Sequence, residues 1–210
     1  LALEAGSLDR QITVPQAAEE VPKDSSLVPV TPGEKMTLRD LLYGLMIRSG
    51  NDAANAIATI LSGSVARFVD AMNEKARQLG LNQTHFKNPH GYHDKEHVTS
   101  ARDLAALARH ALSNNAFLSI SASLEYTLPE TSRRGPLLIK NTNEILLPDS
   151  PYYYPGAYGI KSGYTRAAGF CYVGAAGQGQ RQLIAVVLDC RTRNMAWDDM
   201  KRLFNLGFAQ

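Results

Sequence analysis

The feature that most constrains the fold is a change in hydrophobic pattern close to Asn115. Upstream of it, apolar residues recur three and four positions apart, which is typical of helices packed on a core. Downstream, short apolar runs alternate with Gly- and Pro-containing segments, which is typical of strands. The sequence therefore predicts an α/β chain of the α+β type, with a helical lobe at about 36–115 and a sheet lobe formed by 1–35 and 116–210.

Start and stop signals place four helices in the helical lobe. The first begins after a capping box at Thr37 and stops at Ser49, and the second follows at once. The third begins at Ser64 and ends at Gly80, and the fourth begins after Ser100. Four amphipathic helices of this length are enough to form one wall of a two-lobed domain.

The other segments are predicted to form antiparallel strands and a closing helix. The strands are expected at 11–15, 26–30, 124–128, 137–140, 159–165, 169–175 and 182–188, and the helix at 194–206. The last two strands would form a hairpin across a Gly-rich turn. In that hairpin Cys171 would face Val186, too far along the strand from Cys190 for a disulfide, so two free thiols are expected.

Charge and composition exclude several classes of function. The formal net charge is +2 and no long basic run is present, which argues against a nucleic-acid partner. No apolar run approaches the roughly 20 residues of a membrane-spanning helix. Four histidines lie between His85 and His97, but Pro89 and Gly91 interrupt any helix that could align them, so no metal and no cofactor is predicted.

Two short motifs carry the chemistry. Ser49–Asn51 has the form S-x-N between the first two predicted helices, and Lys161–Gly163 has the form K-S-G on a predicted strand. A cleft between the two lobes would place them on opposite walls. Taken alone, Ser49 and Asn51 would be a helix stop and a helix N-cap. Taken together, the motifs are similar to two parts of the signature S-x-x-K, S-x-N and K-T-G of penicillin-binding proteins and class A β-lactamases.

Further segments extend this likeness over nearly the whole chain. They are 49–54, 88–93, 97–104, 159–165 and 168–171. In this order they resemble the serine D-alanyl-D-alanine carboxypeptidases, the low-molecular-mass penicillin-binding proteins. The resemblance implies a penicillin-binding-protein and β-lactamase-like transpeptidase fold, with an antiparallel sheet and flanking helices beside an all-helical lobe.

The same resemblance implies an activity and a location. Such an enzyme removes the terminal D-alanine of peptidoglycan stem peptides that end in D-Ala-D-Ala, passes through an acyl-enzyme and is inhibited by β-lactams. It would be extracytoplasmic, in the periplasm or at the outer face of the cytoplasmic membrane, with its signal and any anchor outside this chain.

The resemblance also implies a role for each motif residue. Ser49 would relay a proton to the leaving amine, Asn51 would donate its amide to the substrate, and Lys161 would supply a cation. Because it has no side chain, Gly163 would let the substrate lie along the strand, and the N–H of Tyr164 would form half of an oxyanion hole. The catalytic residues expected are Ser49, Asn51 and Lys161, and the substrate-binding residues are Ser162, Gly163, Tyr164 and Thr165.

Two departures from the family pattern stand out. The sequence contains no Ser-x-x-Lys, so we expect that it begins just after its own nucleophile motif, which would be carried upstream or on a separate N-terminal fragment. Many members place an Arg for the substrate carboxylate before the third motif, where this chain has Asn141–Asn143. Thr165 and Arg166 are the candidate replacements.

Two alternatives compete with the carboxypeptidase interpretation. A β-lactamase of class A would need a Glu-activated water, but no Glu-x-x-Asn loop precedes Lys161. A non-catalytic fragment of the same fold, which binds peptidoglycan or a partner without acylation, would explain the missing nucleophile. The carboxypeptidase interpretation predicts most of one catalytic domain over 1–210.

Overall fold

The structure, a computed structural model, describes all 210 residues. Six α-helices are present: α1 (Leu38–Arg48), α2 (Asn51–Ser62), α3 (Val65–Gln78), α4 (Ala101–Leu112), α5 (Asn115–Ala122) and α6 (Arg193–Phe208). The four helices predicted before residue 115 and the closing helix are confirmed. None of the six is both long enough and apolar enough to cross a membrane.

Helix starts follow side-chain caps that are visible in the sequence. Thr37 caps α1 in a capping box with Asp40, and Ser64, Ser100 and Thr192 cap α3, α4 and α6. Helix α5 was not predicted. It has only eight residues, although Asn114 caps it by accepting from two backbone N–H groups.

Seven strands form three small antiparallel sheets. They are β1 (Gln11–Thr13), β2 (Lys35–Thr37), β3 (Glu125–Leu128), β4 (Leu137–Lys140), β5 (Ala157–Thr165), β6 (Gly169–Gln178) and β7 (Arg181–Cys190), and a short 3₁₀ helix spans Gln16–Glu19. The sheets are β1-β2, β3-β4 and β5-β6-β7, with β5 at an edge. The antiparallel pairing and the β6-β7 hairpin are therefore confirmed.

The strand predicted at 26–30 was wrong. This segment has no strand partner, because the amides of Val28 and Val30 donate to the Asp52 carboxylate at 3.1 Å instead. The buried Asp52 carboxylate at the start of α2 thus accepts the hydrogen bonds that a neighbouring strand would otherwise accept.

The register expected for the cysteines was also wrong. The turn lies at Gly179–Gln180, with Gln178 paired to Arg181, so Val186 pairs with Val173 and the register is already two residues from the expected one. A β-bulge between Phe170 and Tyr172 then pairs Phe170 with Cys190. The bulge adds one residue to β7 and brings Cys190 towards Cys171, which a count from the turn could not foresee. Both thiols are free, as expected.

Three hydrophobic clusters hold the fold together. The largest, with 16 buried residues, packs α1 and α2 against the extended 12–36 segment and the β3-β4 pair. The second, with 9 residues, packs α6 on β6 and β7 around Trp197, Tyr172 and Phe204. A third cluster of Ala108, Ile160 and Ala175 links α4 to β5 and β6. The division of the chain into two lobes stays a prediction, but this packing holds β5 opposite the α1–α2 turn.

Candidate active site

A cleft of about 1540 Å³ lies between the α1–α2 turn and strand β5. Its walls come from segments that are more than 100 residues apart in sequence, so only the fold can bring them together. All seven residues predicted as catalytic or substrate-binding line it: Ser49, Asn51, Lys161, Ser162, Gly163, Tyr164 and Thr165.

The α1–α2 turn has a tightly specified backbone. Ser49 ends α1 with φ 58° and ψ 38°, a left-handed conformation that costs a non-glycine residue about 1 kcal/mol or more. At Gly50 there is no room for a side chain, since a Cβ would come within 2.9 Å of Asp52 Oδ1 and 3.0 Å of Val28 Cβ. Asn51 starts α2, and its backbone N–H donates to Ser26 O at 2.9 Å. These contacts fix the backbone of the turn, from which Ser49 and Asn51 line the cleft.

The facing wall is the outer edge of β5. In the three-stranded sheet β5 pairs only with β6, which leaves its other edge without a strand partner. A Cβ built at Gly163 would meet nothing within 4 Å, so this part of the edge is open. Tyr164 is 57% exposed and stacks on Phe170 with ring centroids 4.3 Å apart. An extended peptide could add to this edge as a fourth strand.

Lys161 is a strongly perturbed cation in the cleft. Its side chain is half-buried, and its Nζ donates to Ser162 O at 2.7 Å. Burial lowers the pKa of Lys161 from 10.5 to about 8. At neutral pH about nine in ten molecules still carry the charge. The cleft therefore holds a poorly solvated cation, which is poised to attract an anion or to exchange a proton.

The residues considered for recognition of the substrate carboxylate differ in whether their side chains are already bonded within the protein. Thr165 Oγ1 accepts from Ala168 N at 3.1 Å and is engaged in the β5-β6 turn. Arg166 lines the cleft, is exposed and makes no ion pair within the chain. Asn141 and Asn143 are buried and bond to the protein itself. Thr142, between the two asparagines, is exposed and lines the cleft, so Arg166 and Thr142 are the side chains free to meet a ligand.

A buried chain of hydrogen bonds that holds the start of β5 in place was not predicted from the sequence. Asn143 Nδ2 donates to Tyr172 Oη at 3.0 Å, and Tyr172 Oη donates to Gly159 O at 2.9 Å. This buried chain of hydrogen bonds links the β4–β5 connection to β6 and to the start of β5, two residues before Lys161. Nothing in the sequence around Tyr172 signals that role.

Other cleft residues were also missed, and they carry much of its charge. Arg48 and Arg193 add guanidinium groups, and Asp24 adds a carboxylate from the loop before Val28. Arg193 lies over the Phe170 ring, with Cζ 5.9 Å from the centroid. His90 also lines the cleft, and burial lowers its pKa to about 4, so it is neutral at physiological pH.

Three of the four histidines of the 81–98 loop make local hydrogen bonds. His85 Nδ1 lies 2.9 Å from Glu96 O, and His97 Nδ1 accepts from Lys87 N at 3.2 Å. His90 Nδ1 accepts from Tyr92 N at 3.2 Å. No group of three or more potential metal ligands converges anywhere in the structure.

A second cavity adjoins the cleft and is apolar. It measures about 560 Å³ and is lined by 28 residues, of which 21 are hydrophobic, mainly from the four helices before residue 115. Lys161 borders both the cavity and the cleft. An apolar element placed in the cavity would therefore lie directly beside the Lys161 side chain.

Comparisons with known proteins agree on one family. The family described as D-alanyl-D-alanine carboxypeptidase matches residues 2–192. The Bacillus subtilis D-alanyl-D-alanine carboxypeptidase DacF is 34% identical over 209 residues, which cover 100% of this chain and 52% of the relative. The chain thus spans about half the length of that relative.

Solved structures give the same result. The crystal structure of D-alanyl-D-alanine carboxypeptidase from Mycobacterium tuberculosis H37Rv matches with a TM-score of 0.89 and 35% identity, covering 100% of this chain and 77% of that one. The Streptomyces K15 DD-transpeptidase matches with a TM-score of 0.89 and 32% identity, covering 98% and 81%. These matches confirm the predicted mixed α/β transpeptidase fold.

Proposed function

Because this chain belongs to the D-alanyl-D-alanine carboxypeptidase family, we propose that it forms most of the catalytic domain of a serine-type carboxypeptidase. The substrate would be a peptidoglycan stem peptide ending in D-Ala-D-Ala, and β-lactams would acylate the same site. The working location would be outside the cytoplasmic membrane. The observation that carries the proposal is that Ser49, Asn51 and Lys161 line one cleft beside the open edge of β5.

The β5 edge would position the substrate. A peptide laid along Gly163 and Tyr164 can pair with the strand because nothing projects from Gly163 into its path. The N–H of Tyr164 would then donate to the carbonyl oxygen as negative charge develops there. On the opposite wall, Asn51 would hold a backbone carbonyl of the substrate through its side-chain amide.

The chemistry needs a nucleophilic Ser, whose Oγ attacks the carbonyl carbon of the penultimate D-alanine. The proton of the attacking hydroxyl passes to the neighbouring base, and as the C–N bond to the terminal D-alanine breaks, Ser49 relays it to the departing amine. Water subsequently hydrolyses the ester, which releases the shortened peptide and restores the Ser hydroxyl. Lys161 remains mainly cationic, so it would attract the substrate carboxylate and favour a neutral amine on any neighbouring Lys that serves as base.

The nucleophile itself would come from polypeptide outside these 210 residues. No Ser-x-x-Lys occurs in the sequence, and the apolar cavity has room for another element next to Lys161. We propose that an apolar helix carrying Ser-x-x-Lys packs there, either as part of the same protein or as a separate N-terminal fragment. An exposed apolar surface of this kind is typical of a surface that another element covers.

The direct test is the intact mass of the protein after incubation with a penicillin. We expect an adduct when the chain is joined to, or mixed with, a family segment that carries Ser-x-x-Lys, and no adduct on the chain alone. The adduct should map to the Ser of that segment. Lys161→Ala and Ser49→Ala in the joined protein should slow acylation by about 10²-fold or more.

Two outcomes would overturn this proposal. Unchanged acylation in both variants would remove the cleft from the reaction. A folded joined protein that forms no adduct would favour the non-catalytic alternative, in which the cleft binds the peptide without cleaving it.

A further inference from the structure

Strand β5 interrupts its pairing with β6 just before Lys161. Ala157 pairs with Ala176, and Ile160 pairs with Gly174. The two residues of β5 in between therefore face a single residue of β6, which makes a β-bulge. Bulges are common beside active sites, where they re-aim the side chains that follow them. Because the strand ladder is interrupted here, other contacts must hold the backbone from which Lys161 projects.

The two carbonyl groups inside the bulge are held by buried hydroxyls from two different elements. Tyr172 Oη, on β6, donates to Gly159 O at 2.9 Å. Ser121 Oγ, near the end of α5, lies 3.3 Å from Tyr158 O and 3.1 Å from Leu118 O, so its single proton is shared between these acceptors. Ser121 and Tyr172 are both almost fully buried, so removing either hydroxyl leaves a carbonyl group short of a donor.

A second route joins the same two hydroxyls through the connection from β4 to β5. Asn143 Nδ2 donates to Tyr172 Oη at 3.0 Å, and Asn143 N donates to Asn141 Oδ1 at 2.9 Å. Asn141 Nδ2 donates to Ser123 O at 2.8 Å, at the C-terminal cap of α5 and two residues from Ser121. These five residues form a closed circuit from α5 to the start of β5 and back, which we call the hydroxyl–amide network.

The hydroxyl–amide network connects the core of the protein to the cleft. Ile120, which precedes Ser121, is buried and belongs to the 16-residue cluster that packs α1 and α2. Two side chains that line the cleft follow directly from the network: Lys161, just after the bulge, and Thr142, between the two asparagines. The network thus lies between the core beneath the α1–α2 turn and the opposite wall of the cleft.

We propose that Ser121 and Tyr172 are positioning residues, and that the hydroxyl–amide network sets the place of Lys161 opposite Ser49. Both residues act through the backbone of β5, because their hydroxyls bond to its carbonyl groups. This inference rests on the proposed function, since it assigns a role in the same reaction. A reacting group displaced by about 1 Å can lose on the order of 10²-fold in rate, so a loosened network should slow acylation well before the protein unfolds.

The test uses Tyr172→Phe and Ser121→Ala in the protein joined to the Ser-x-x-Lys segment. The first readout is the pKa of Lys161, followed by NMR of ¹³C-labelled lysine, which needs no activity. We expect this pKa to rise towards 10.5 by about 0.5 unit or more, because a loosened β5 exposes the amine to water. The second readout is the limiting rate of acylation by a penicillin, which should fall about 10-fold or more. Ser121→Ala carries the test if Tyr172→Phe does not fold.

Two matched controls remove the same groups outside the hydroxyl–amide network. Tyr154→Phe removes a phenol that donates to Asn205 Oδ1 at 3.0 Å. Ser123→Ala removes a hydroxyl that donates to Ser119 O at 2.7 Å, while the backbone carbonyl of Ser123 stays in the network. Both controls should leave the Lys161 pKa and the acylation rate unchanged.

A double-mutant cycle separates positioning from general damage. Adding Tyr172→Phe to Lys161→Ala should slow acylation by less than about 2-fold further, because the network acts through Lys161. A full multiplicative loss, an equal loss in the controls, or an unchanged Lys161 pKa in both folded variants would overturn the inference and leave the proposed function standing. An unmodified joined protein that forms no adduct would overturn the proposed function instead, and the Lys161 pKa would still decide whether the network positions this residue.

Discussion

Replacing Lys161 by Met should make the protein more stable while it removes the site's central cation. The side chain is half-buried, and burial lowers its pKa from 10.5 to about 8. At about 1.4 kcal/mol per pKa unit, keeping this charge in the folded state costs roughly 3 kcal/mol at neutral pH. Met has a similar length and no charge, but it loses the hydrogen bond to Ser162 O, worth about 1 kcal/mol. We therefore expect Lys161→Met to raise the free energy of unfolding at pH 7 by about 2 kcal/mol.

The pH dependence of this gain identifies its cause. Below about pH 8 the Lys is protonated in the folded and the unfolded state, so the full cost is present. Between about pH 8 and 10.5 the folded state loses its proton while the unfolded state keeps it, so the wild type becomes more stable relative to the variant. The gap between the two proteins should consequently shrink as the pH rises through this range.

The assay is urea unfolding at pH 7 and near pH 10, followed by far-UV circular dichroism. Comparing variant with wild type at each pH cancels the titration of tyrosines and cysteines. Lys140→Met, an exposed substitution on β4, is the control and should change stability by less than about 0.5 kcal/mol. The reasoning would be refuted by a Lys161→Met protein that is no more stable than wild type at pH 7, or by a gain that is the same at both pH values.

Three further substitutions test other parts of the site. Ser49→Gly should raise the free energy of unfolding by about 1 kcal/mol, because Gly adopts the left-handed backbone without steric cost. The same variant should slow acylation of the joined protein. Unchanged acylation would argue against a proton relay at Ser49. Asp52→Ala should lower the free energy of unfolding by about 3 kcal/mol or more in urea unfolding, because the buried amides of Val28 and Val30 lose their acceptor. A loss below about 1 kcal/mol would show that water replaces the carboxylate as acceptor. Gly163→Ala should leave thermal stability within about 0.5 kcal/mol of wild type, because the added methyl enters open space. It should weaken peptide binding in NMR titrations, because that space lies on the proposed path of the substrate. Unaltered binding would place the peptide elsewhere.

Elements with local signals could be predicted from the sequence. Helices α1, α3 and α4 begin at Ser or Thr caps and carry a clear apolar face, and the β6-β7 hairpin follows short apolar runs around a Gly-containing turn. These signals lie within a few residues of the element that they define. The sequence therefore sufficed for element type and order.

Features that depend on distant partners could not be predicted. Segment 26–30 has the composition of a strand, but its amide groups bond to Asp52, whose position depends on the α2 start. The register of β7 changes at a bulge that leaves no mark in the local sequence. In the same way, the motifs predicted Ser49 and Lys161 as site residues, whereas Asp24 and Arg193 became visible only when the cleft was assembled.

The energetic costs in this fold give an argument for function that is independent of sequence similarity. Ser49 holds a left-handed backbone that favours Gly, and Lys161 keeps a charge at a position where burial lowers its pKa and where we expect Met to be more stable. The two costs arise in different elements and from different physics, yet both residues line the same cleft. A sequence shaped by stability alone would have no reason to place them together. Their coincidence supports the proposal that a hydroxyl and a cation act at these two points, because an acyl transfer with a proton relay uses both.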